Sequence, residues 1–142
     1  MFRILLIEDN ADHAILASAA LSEHGAHIQV ECRDSADSAW IHLQDARNGD
    51  ALRPNLILLD INMPGMDGFT LLRRIKSDPK LRLIPTIMLS SSANQSDIMR
   101  ALSDHANSYV TKSTDFTRWE AALHAICDYW STHDRACNLE EV

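Results

Sequence analysis

Four places in the 142-residue chain set a chemically useful side chain where a short strand-like run ends: the acid pair Glu8-Asp9, then Asp60, Ser90 and Lys112. Arg3–Ile7 runs straight into Glu8-Asp9, Asn55–Leu59 into Asp60, Pro85–Leu89 into Ser90, and the shorter Ser108–Thr111 into Lys112. Three carboxylates brought together repel, and each is driven to take up a proton unless positive charge compensates. A few carboxylates, a carbonyl and several waters suit Mg²⁺, whose octahedral shell also accepts a phosphate oxygen. A strand-end serine offers a hydroxyl to a phosphoryl oxygen, and a strand-end lysine offers a compact positive charge. The set is equipped for phosphoryl transfer, in which positioning and charge neutralisation supply most of the catalysis. Each residue has a plainer reading by itself. Glu8-Asp9 would be helix-start acids favoured by the dipole, Ser90 a strand-end serine and Lys112 a surface lysine. Their joint order carries the signal.

These side chains meet only if the runs that carry them lie side by side. Arg3–Ile7 and Asn55–Leu59 read as strands buried on both faces, and Pro85 is tolerable as the first residue of a third. Ile28–Cys32 and Ser108–Thr111 are shorter strand candidates. Between them, Ala11–His24 places Ile15, Leu16, Ala19 and Ala20 at helical spacing and stops near Gly25. Ser35–Arg47 sets Ala36, Ala39, Trp40 and Leu43 on one side. Asp67–Lys76 opens on a capping-type Asp and stripes Phe69, Leu72 and Ile75. Gln95–His105 and Thr117–Trp130 complete the set. Five β-then-α units predict an α/β fold with a parallel sheet covered on both sides. The carboxyl ends of parallel strands form one edge, where such folds bind ligands. With the first and third strands adjacent, Glu8, Asp9 and Asp60 converge there. Residues 1–130 are expected to form one domain, and the polar tail 131–142 to be loosely ordered.

Composition narrows the function class. An apolar fraction of 46% supplies a core and a charged fraction of 23% a soluble surface. A net charge of -7 argues against direct nucleic-acid binding, and Arg73, Arg74 and Lys76 read as a solvated helix face. Cys32, Cys127 and Cys137 are odd in number and show no metal-ligand arrangement, which suits a reducing cytoplasm. No apolar run approaches a membrane span, and the start turns acidic too early for a signal peptide. The seven histidines have no ligand spacing.

Over residues 2–130 the sequence resembles the receiver domains of two-component response regulators. The motifs that carry the likeness are Ile7-Glu8-Asp9, the stretch Leu59-Asp60-Ile61-Asn62-Met63-Pro64-Gly65-Met66-Asp67-Gly68, Ser90 five residues after Pro85, and Tyr109 with Lys112. The resemblance implies a flavodoxin-like (βα)5 doubly wound sheet of strand order 2-1-3-4-5, with Asp60 as phosphoacceptor. It makes Asp9 a metal ligand, Glu8 a support of the metal, and Asn62 the donor of a backbone carbonyl to Mg²⁺. Ser90 takes the place of the switch hydroxyl, Tyr109 that of its aromatic rotamer partner, and Lys112 that of the lysine reaching the phosphoryl group. The implied protein is a signalling relay, catalysing only its own phosphotransfer and acyl-phosphate hydrolysis. Two positions depart from the pattern. Lys112 is followed by Ser113 where the family usually has proline, and Ser91 fills a place often held by Ala or Gly.

A narrower likeness joins Arg53–Asp60, Ile84-Pro85, Asp78–Leu81 and Ser108–Ser113 to the single-domain regulators of bacterial phytochrome kinases. It implies a sensor histidine kinase upstream, one that responds to red light. With no output domain in the chain, the signal is expected to leave through a protein contact. His13, a turn past Asp9, is a candidate for the kinase-facing surface, with plain solvent exposure as the alternative. Phe116, Trp119, Leu123, Ile126 and Trp130 recur near helical spacing. They form a buried stripe or, for Phe116, Trp119 and Trp130, part of a homodimer interface. Three rival classes share parts of this pattern. A flavin-mononucleotide carrier would want a glycine-rich cradle where Glu8-Asp9-Asn10 stands. An aspartyl phosphatase would want an acid at Asn62. A phosphorylation-independent scaffold would keep the fold without the chemistry.

Overall fold

Ile4, Leu5, Leu6 and Ile7 are at most 1% exposed, and Leu56 to Leu59 are fully buried. Runs with no polar face are stable only in a sheet covered on both sides. In the computed structural model, which describes residues 1–132, that is where they lie. Five strands, β1 (Phe2–Ile7), β2 (Ile28–Arg33), β3 (Leu56–Asp60), β4 (Thr86–Ser90) and β5 (Ser108–Thr111), form one sheet of order β2-β1-β3-β4-β5. Every pairing is parallel. Five helices alternate with them: α1 (Ala11–Glu23), α2 (Ala36–Arg47), α3 (Gly68–Ser77), α4 (Gln95–Ser103) and α5 (Phe116–Thr132). This is the expected flavodoxin-like topology.

The period-two alternation of the strands divides the core between two layers. Leu5, Ile7, Ile57, Leu59 and Met88 face α2 and α3. Ile4, Leu6, Leu58, Ile87 and Leu89 face α1 and α5.

Helix α1 differs from its expected stripe. Its buried residues are Ala17, Ala20 and Leu21, whereas Ile15 and Leu16 are 66% and 45% exposed. Two alanines let the helix lie close to the sheet, so one large side chain, Leu21, fills the remaining space and the bulkier pair is turned outward. The strand edges also shift by a residue. Asn55 precedes β3, exchanging hydrogen bonds with the Arg3 backbone through its Oδ1 and its N–H, both at 2.8 Å. Helix α5 continues through Thr132. Residues 133–142, which hold most of the predicted tail and Cys137, lie outside the described residues.

The exit from α3 shows a joint that hydrophobic spacing does not reveal. Asp78 accepts from the Lys80 and Leu81 amides at 2.9 and 3.0 Å and from Arg47 at 2.6 Å, tying α2 to the short 3-10 turn Leu81–Leu83. Burial alone would raise its pKa. The Leu81 amide, the Arg47 guanidinium and the Lys80 amide outweigh burial and hold the carboxyl below its ordinary value. Asp78→Ala is expected to lower stability by about 2–3 kcal/mol, because it strands two amides and a guanidinium. Urea midpoints check this. A lowered folded pKa gives stabilisation that is complete above the unfolded value near 4 and disappears as pH falls through the folded one. The gap between the two proteins should therefore close in acid.

The basic cluster on α3 is tied to the protein itself. Arg73 pairs with Asp104 at 3.3 Å, Arg74 lies 5.8 Å from the centroid of the Trp40 ring, and the Lys76 ammonium donates to the carbonyls of Arg82 and Ile84 and to Asn107.

Candidate functional site

Strand register brings the chemical residues to one edge. Ile7 pairs with Leu59, Asp60 with Leu89 and Ser90 with Thr111, so Glu8, Asp60, Ser90 and Lys112 leave the sheet nearly level. The ladder extends one step beyond the strands on each side. The Glu8 amide donates to Arg33 O at 3.0 Å and the Lys112 amide to Ser90 O at 2.7 Å. Glu8, Asp9 and Asp60 each present an oxygen within 4.8 Å of the others. Glu8 and Asp60 are 4% and 6% exposed, while Asp9 faces solvent. Three hard oxygen donors, one of them open to water, suit a divalent cation that keeps part of its hydration shell.

Positive charge reaches this cluster from Lys112. Its ammonium lies 2.5 Å from Glu8 Oε2 and 3.5 Å from Asp60 Oδ2. The other Glu8 oxygen accepts from the Asn10 amide at 3.1 Å, and the Asn10 side chain caps α1 by accepting from His13 N. Among the described residues every peptide bond is trans, that between Lys112 and Ser113 included. The lysine thus reaches both acids without the usual proline. Burial, reinforced by the charge of Glu8, pushes the Asp60 carboxyl up to about 6, against the opposing pull of Lys112. That is the expected behaviour of a carboxylate among like charges.

The loop after β3 folds over this acid. The Asn62 amide donates to Asp60 Oδ1 at 3.3 Å, and Asp67 caps α3 by accepting from Thr70 N at 2.8 Å. Gly68, the first residue of α3, needs its missing side chain for space. A Cβ there would stand 2.4 Å from Asp60 O and 2.8 Å from Ile61 Cα, both backbone atoms. The Gly68 amide meanwhile donates to Ile61 O at 3.0 Å. Gly68→Ala is expected to push α3 away from the end of β3, costing about 1–3 kcal/mol and disturbing the backbone at Asn62. Thermal melts read the cost, and amide shifts at residues 61–67 read the displacement.

Ser90 is fully buried, and its hydroxyl accepts from Ser92 N at 3.0 Å. Tyr109 is half-buried against the core and donates its hydroxyl to Ser92 O at 2.7 Å. The two switch candidates therefore meet at the backbone of one residue, Ser92, whose only sequence signal is its place two residues past Ser90.

On α5 the aromatic set divides. Trp119 is 7% exposed and belongs to the core with Leu123 and Ile126, Trp130 packs partly against them, and Phe116 is 45% exposed. A burial of this kind takes Trp119 out of the surface set considered for an interface and leaves Phe116 and Trp130. Phe116 also helps line a cavity of about 320 Å³ with His13, Leu16, Ser91, Lys112 and Trp119. His13 thus borders the opening above Lys112.

Comparison with known proteins agrees with this geometry. The family model described as the response regulator receiver domain matches residues 4–124. The chain is 34% identical over 135 residues to the probable methanogenesis regulatory protein FilR2 of Methanothrix harundinacea, covering 95% of this chain and 87% of that protein. It is 33% identical over 128 residues to the response regulator Rcp1 of Synechocystis, covering 89% and 87%. The crystal structure of Rcp1 in its Mn²⁺-bound form superposes with a TM-score of 0.86 at 30% identity, over 94% of this chain and 97% of that one. The phosphorylated cyanobacterial phytochrome response regulator RcpA superposes with a TM-score of 0.87 at 34% identity, covering 94% and 96%.

Proposed function

The chain belongs to the response regulator receiver family, and from that premise we propose that it takes a phosphoryl group from a sensor histidine kinase onto Asp60. The observation that carries this reading is the convergence of Glu8, Asp9 and Asp60 within 4.8 Å, with Lys112 reaching two of them. Asp60 is the acceptor. It is the acid at the centre of the sheet edge, and one of its oxygens accepts from the Asn62 amide.

In the transfer, an Asp60 carboxylate oxygen bonds to phosphorus while the phosphorus–nitrogen bond of a phosphohistidine breaks. The bonding pair stays on the imidazole, which takes a proton from water. Lys112 then neutralises one phosphoryl oxygen, and amides near Asn62 and Ser91 receive others. Mg²⁺, held by Glu8, Asp9, Asp60 and the Asn62 carbonyl, would offset the charge that gathers around the transferred group. Hydrolysis of the acyl phosphate by water resets the site, and the chain has no other enzymatic role.

The relay reading adds partners. The likeness to the phytochrome response regulator RcpA supports a phytochrome kinase upstream, and the cytoplasm is the compartment proposed for both. The rim formed by His13, Leu16 and Phe116 beside Lys112 is the surface proposed for that contact. Phosphorylation draws Ser90 toward the phosphoryl group and reorients Tyr109, altering contacts of α4, β5 and α5 with a downstream protein or with a second copy of this chain through Phe116 and Trp130.

Intact mass spectrometry after incubation with acetyl phosphate and Mg²⁺ tests the proposal. One phosphoryl group per chain is expected, and none with EDTA or in Asp60→Asn. A wild-type protein that gains no adduct and does not bind beryllofluoride would be a phosphorylation-independent scaffold instead.

A further inference from the structure

Ser92 lies outside the acid cluster, yet each of its polar groups is committed to a different element. Its amide donates to Ser90 Oγ at 3.0 Å, and its carbonyl accepts from the Tyr109 hydroxyl at 2.7 Å. Its own hydroxyl donates to Asp97 Oδ2 at 3.0 Å and accepts from the Asn94 amide at 3.1 Å. Asp97 sits in the first turn of α4, and Asn94 caps that helix by accepting from Ser96 N at 2.8 Å. One half-buried residue therefore joins the end of β4, the ring on β5 and the start of α4.

We infer that the Ser92 side chain is the positioning link that passes a displacement of Ser90 to helix α4. The inference rests on the phosphoacceptor reading, since it is the phosphoryl group that displaces Ser90. When the Ser90 hydroxyl turns to donate to a phosphoryl oxygen, the acceptor that holds the Ser92 amide moves with it. The amide, carbonyl and hydroxyl of Ser92 belong to one short residue, so they move together. The carbonyl carries the motion to Tyr109. The hydroxyl carries it to Asp97, and so to the first turn of α4. Without the hydroxyl, the path along the chain from Ser92 to α4 is the backbone of the exposed residues Ala93 and Asn94. A loop of that kind absorbs displacement locally. Coupling between two sites needs an element whose position both sites bias, and the Ser92–Asp97 bond supplies the contact that lets α4 be that element.

The discriminating pair is Ser92→Ala, which removes the hydroxyl and keeps the amide and carbonyl, and Asp97→Ala, which cuts the same bond from the helix. Each is followed by amide NMR with and without beryllofluoride and Mg²⁺. In the wild type, shifts are expected at Asn62, Ser90 and Lys112 and across Gln95–Ser103. Both variants should keep the first set and lose the second several-fold, and Ser92→Thr, which restores a hydroxyl, should recover it. An α4 response as large in Ser92→Ala as in the wild type overturns the inference. So does lowered hydrogen-exchange protection of α4 before beryllofluoride with an undiminished response after it, because that marks a purely structural role. A wild type that responds nowhere sinks the phosphoacceptor reading itself, whereas a normal response at Asn62 with unaltered coupling in both variants sinks only the role of Ser92.

Discussion

Lys112→Ala is expected to slow phosphorylation of Asp60 by acetyl phosphate by about 10²–10³-fold, the usual loss when one preorganised charge-stabilising donor is removed. The reason is visible in the resting protein. Lys112 is held between Glu8 at 2.5 Å and Asp60 at 3.5 Å, so its ammonium already stands beside the atom that accepts the phosphoryl group. The same contacts forecast a second effect. Glu8 and Asp60 are 4% and 6% exposed, and without the lysine two neighbouring buried carboxylates lose their cation. Breaking a buried pair from one side costs about 3–5 kcal/mol, and the open Asp9 edge argues for the low end. In EDTA the urea midpoint should fall accordingly. Mg²⁺ should restore much of the stability and little of the rate, since it replaces lost charge among the acids but not the donor to the phosphoryl oxygen. Lys112→Arg separates charge from shape: stability near that of the wild type with slow phosphorylation is expected. An alanine variant with an unchanged phosphorylation rate would remove Lys112 from the chemistry.

Much of this arrangement is legible in the sequence, and the reason is periodicity. Short continuous apolar runs such as Leu56–Leu59, alternating with helical patterns, read as central strands, and an acid or a lysine where such a strand ends appears at the ligand edge. That logic placed Asp60, Ser90 and Lys112 together. Elsewhere it failed for physical causes. On α1, spacing alone could not tell the Ile15–Leu16 face from the Ala17–Leu21 face, because what decides is how closely the helix approaches the sheet, and alanine permits a closer approach than isoleucine. Trp119 was ambiguous because an aromatic stripe reads alike whether its cover is the sheet or another molecule. The Glu8–Lys112 bridge and the Ser92 junction are contacts between residues distant in the chain or bonded through backbone atoms, and neither hydrophobic period nor motif encodes them. Gly68 belongs with these. A glycine after a capping Asp looks like an ordinary helix start, yet the constraint on it comes from the backbone of Asp60 and Ile61.

Metal-free protein should be most stable in mild acid, and Asp60→Asn should abolish much of that dependence. The folded Asp60 carboxyl is pushed up to about 6, first by burial and then by the charge of Glu8, from 3.8 in the unfolded chain. A group whose folded pKa is raised binds more protons in the folded state between those two values, so stability falls as pH rises through them. Once ionised, the buried carboxylate beside Glu8 therefore destabilises the metal-free fold. Asp67 and Asp78 act in the opposite sense, because their folded values are lowered and their stabilisation is lost only in stronger acid. In EDTA the two trends together put the maximum between about pH 4 and 6. Asp60→Asn keeps the shape and removes the charge, so at pH 7.5 it should unfold at higher urea than the metal-free wild type. Mg²⁺ supplies to the wild type what the amide supplies to the variant. At about 100 times its dissociation constant it adds about 2.7 kcal/mol and should move the optimum toward neutrality, with a much smaller effect on Asp60→Asn. Urea midpoints from pH 4.5 to 8, with EDTA or with Mg²⁺, read all four curves. If the metal-free wild type and Asp60→Asn run parallel across that range, Asp60 is not the strained acid of the cluster.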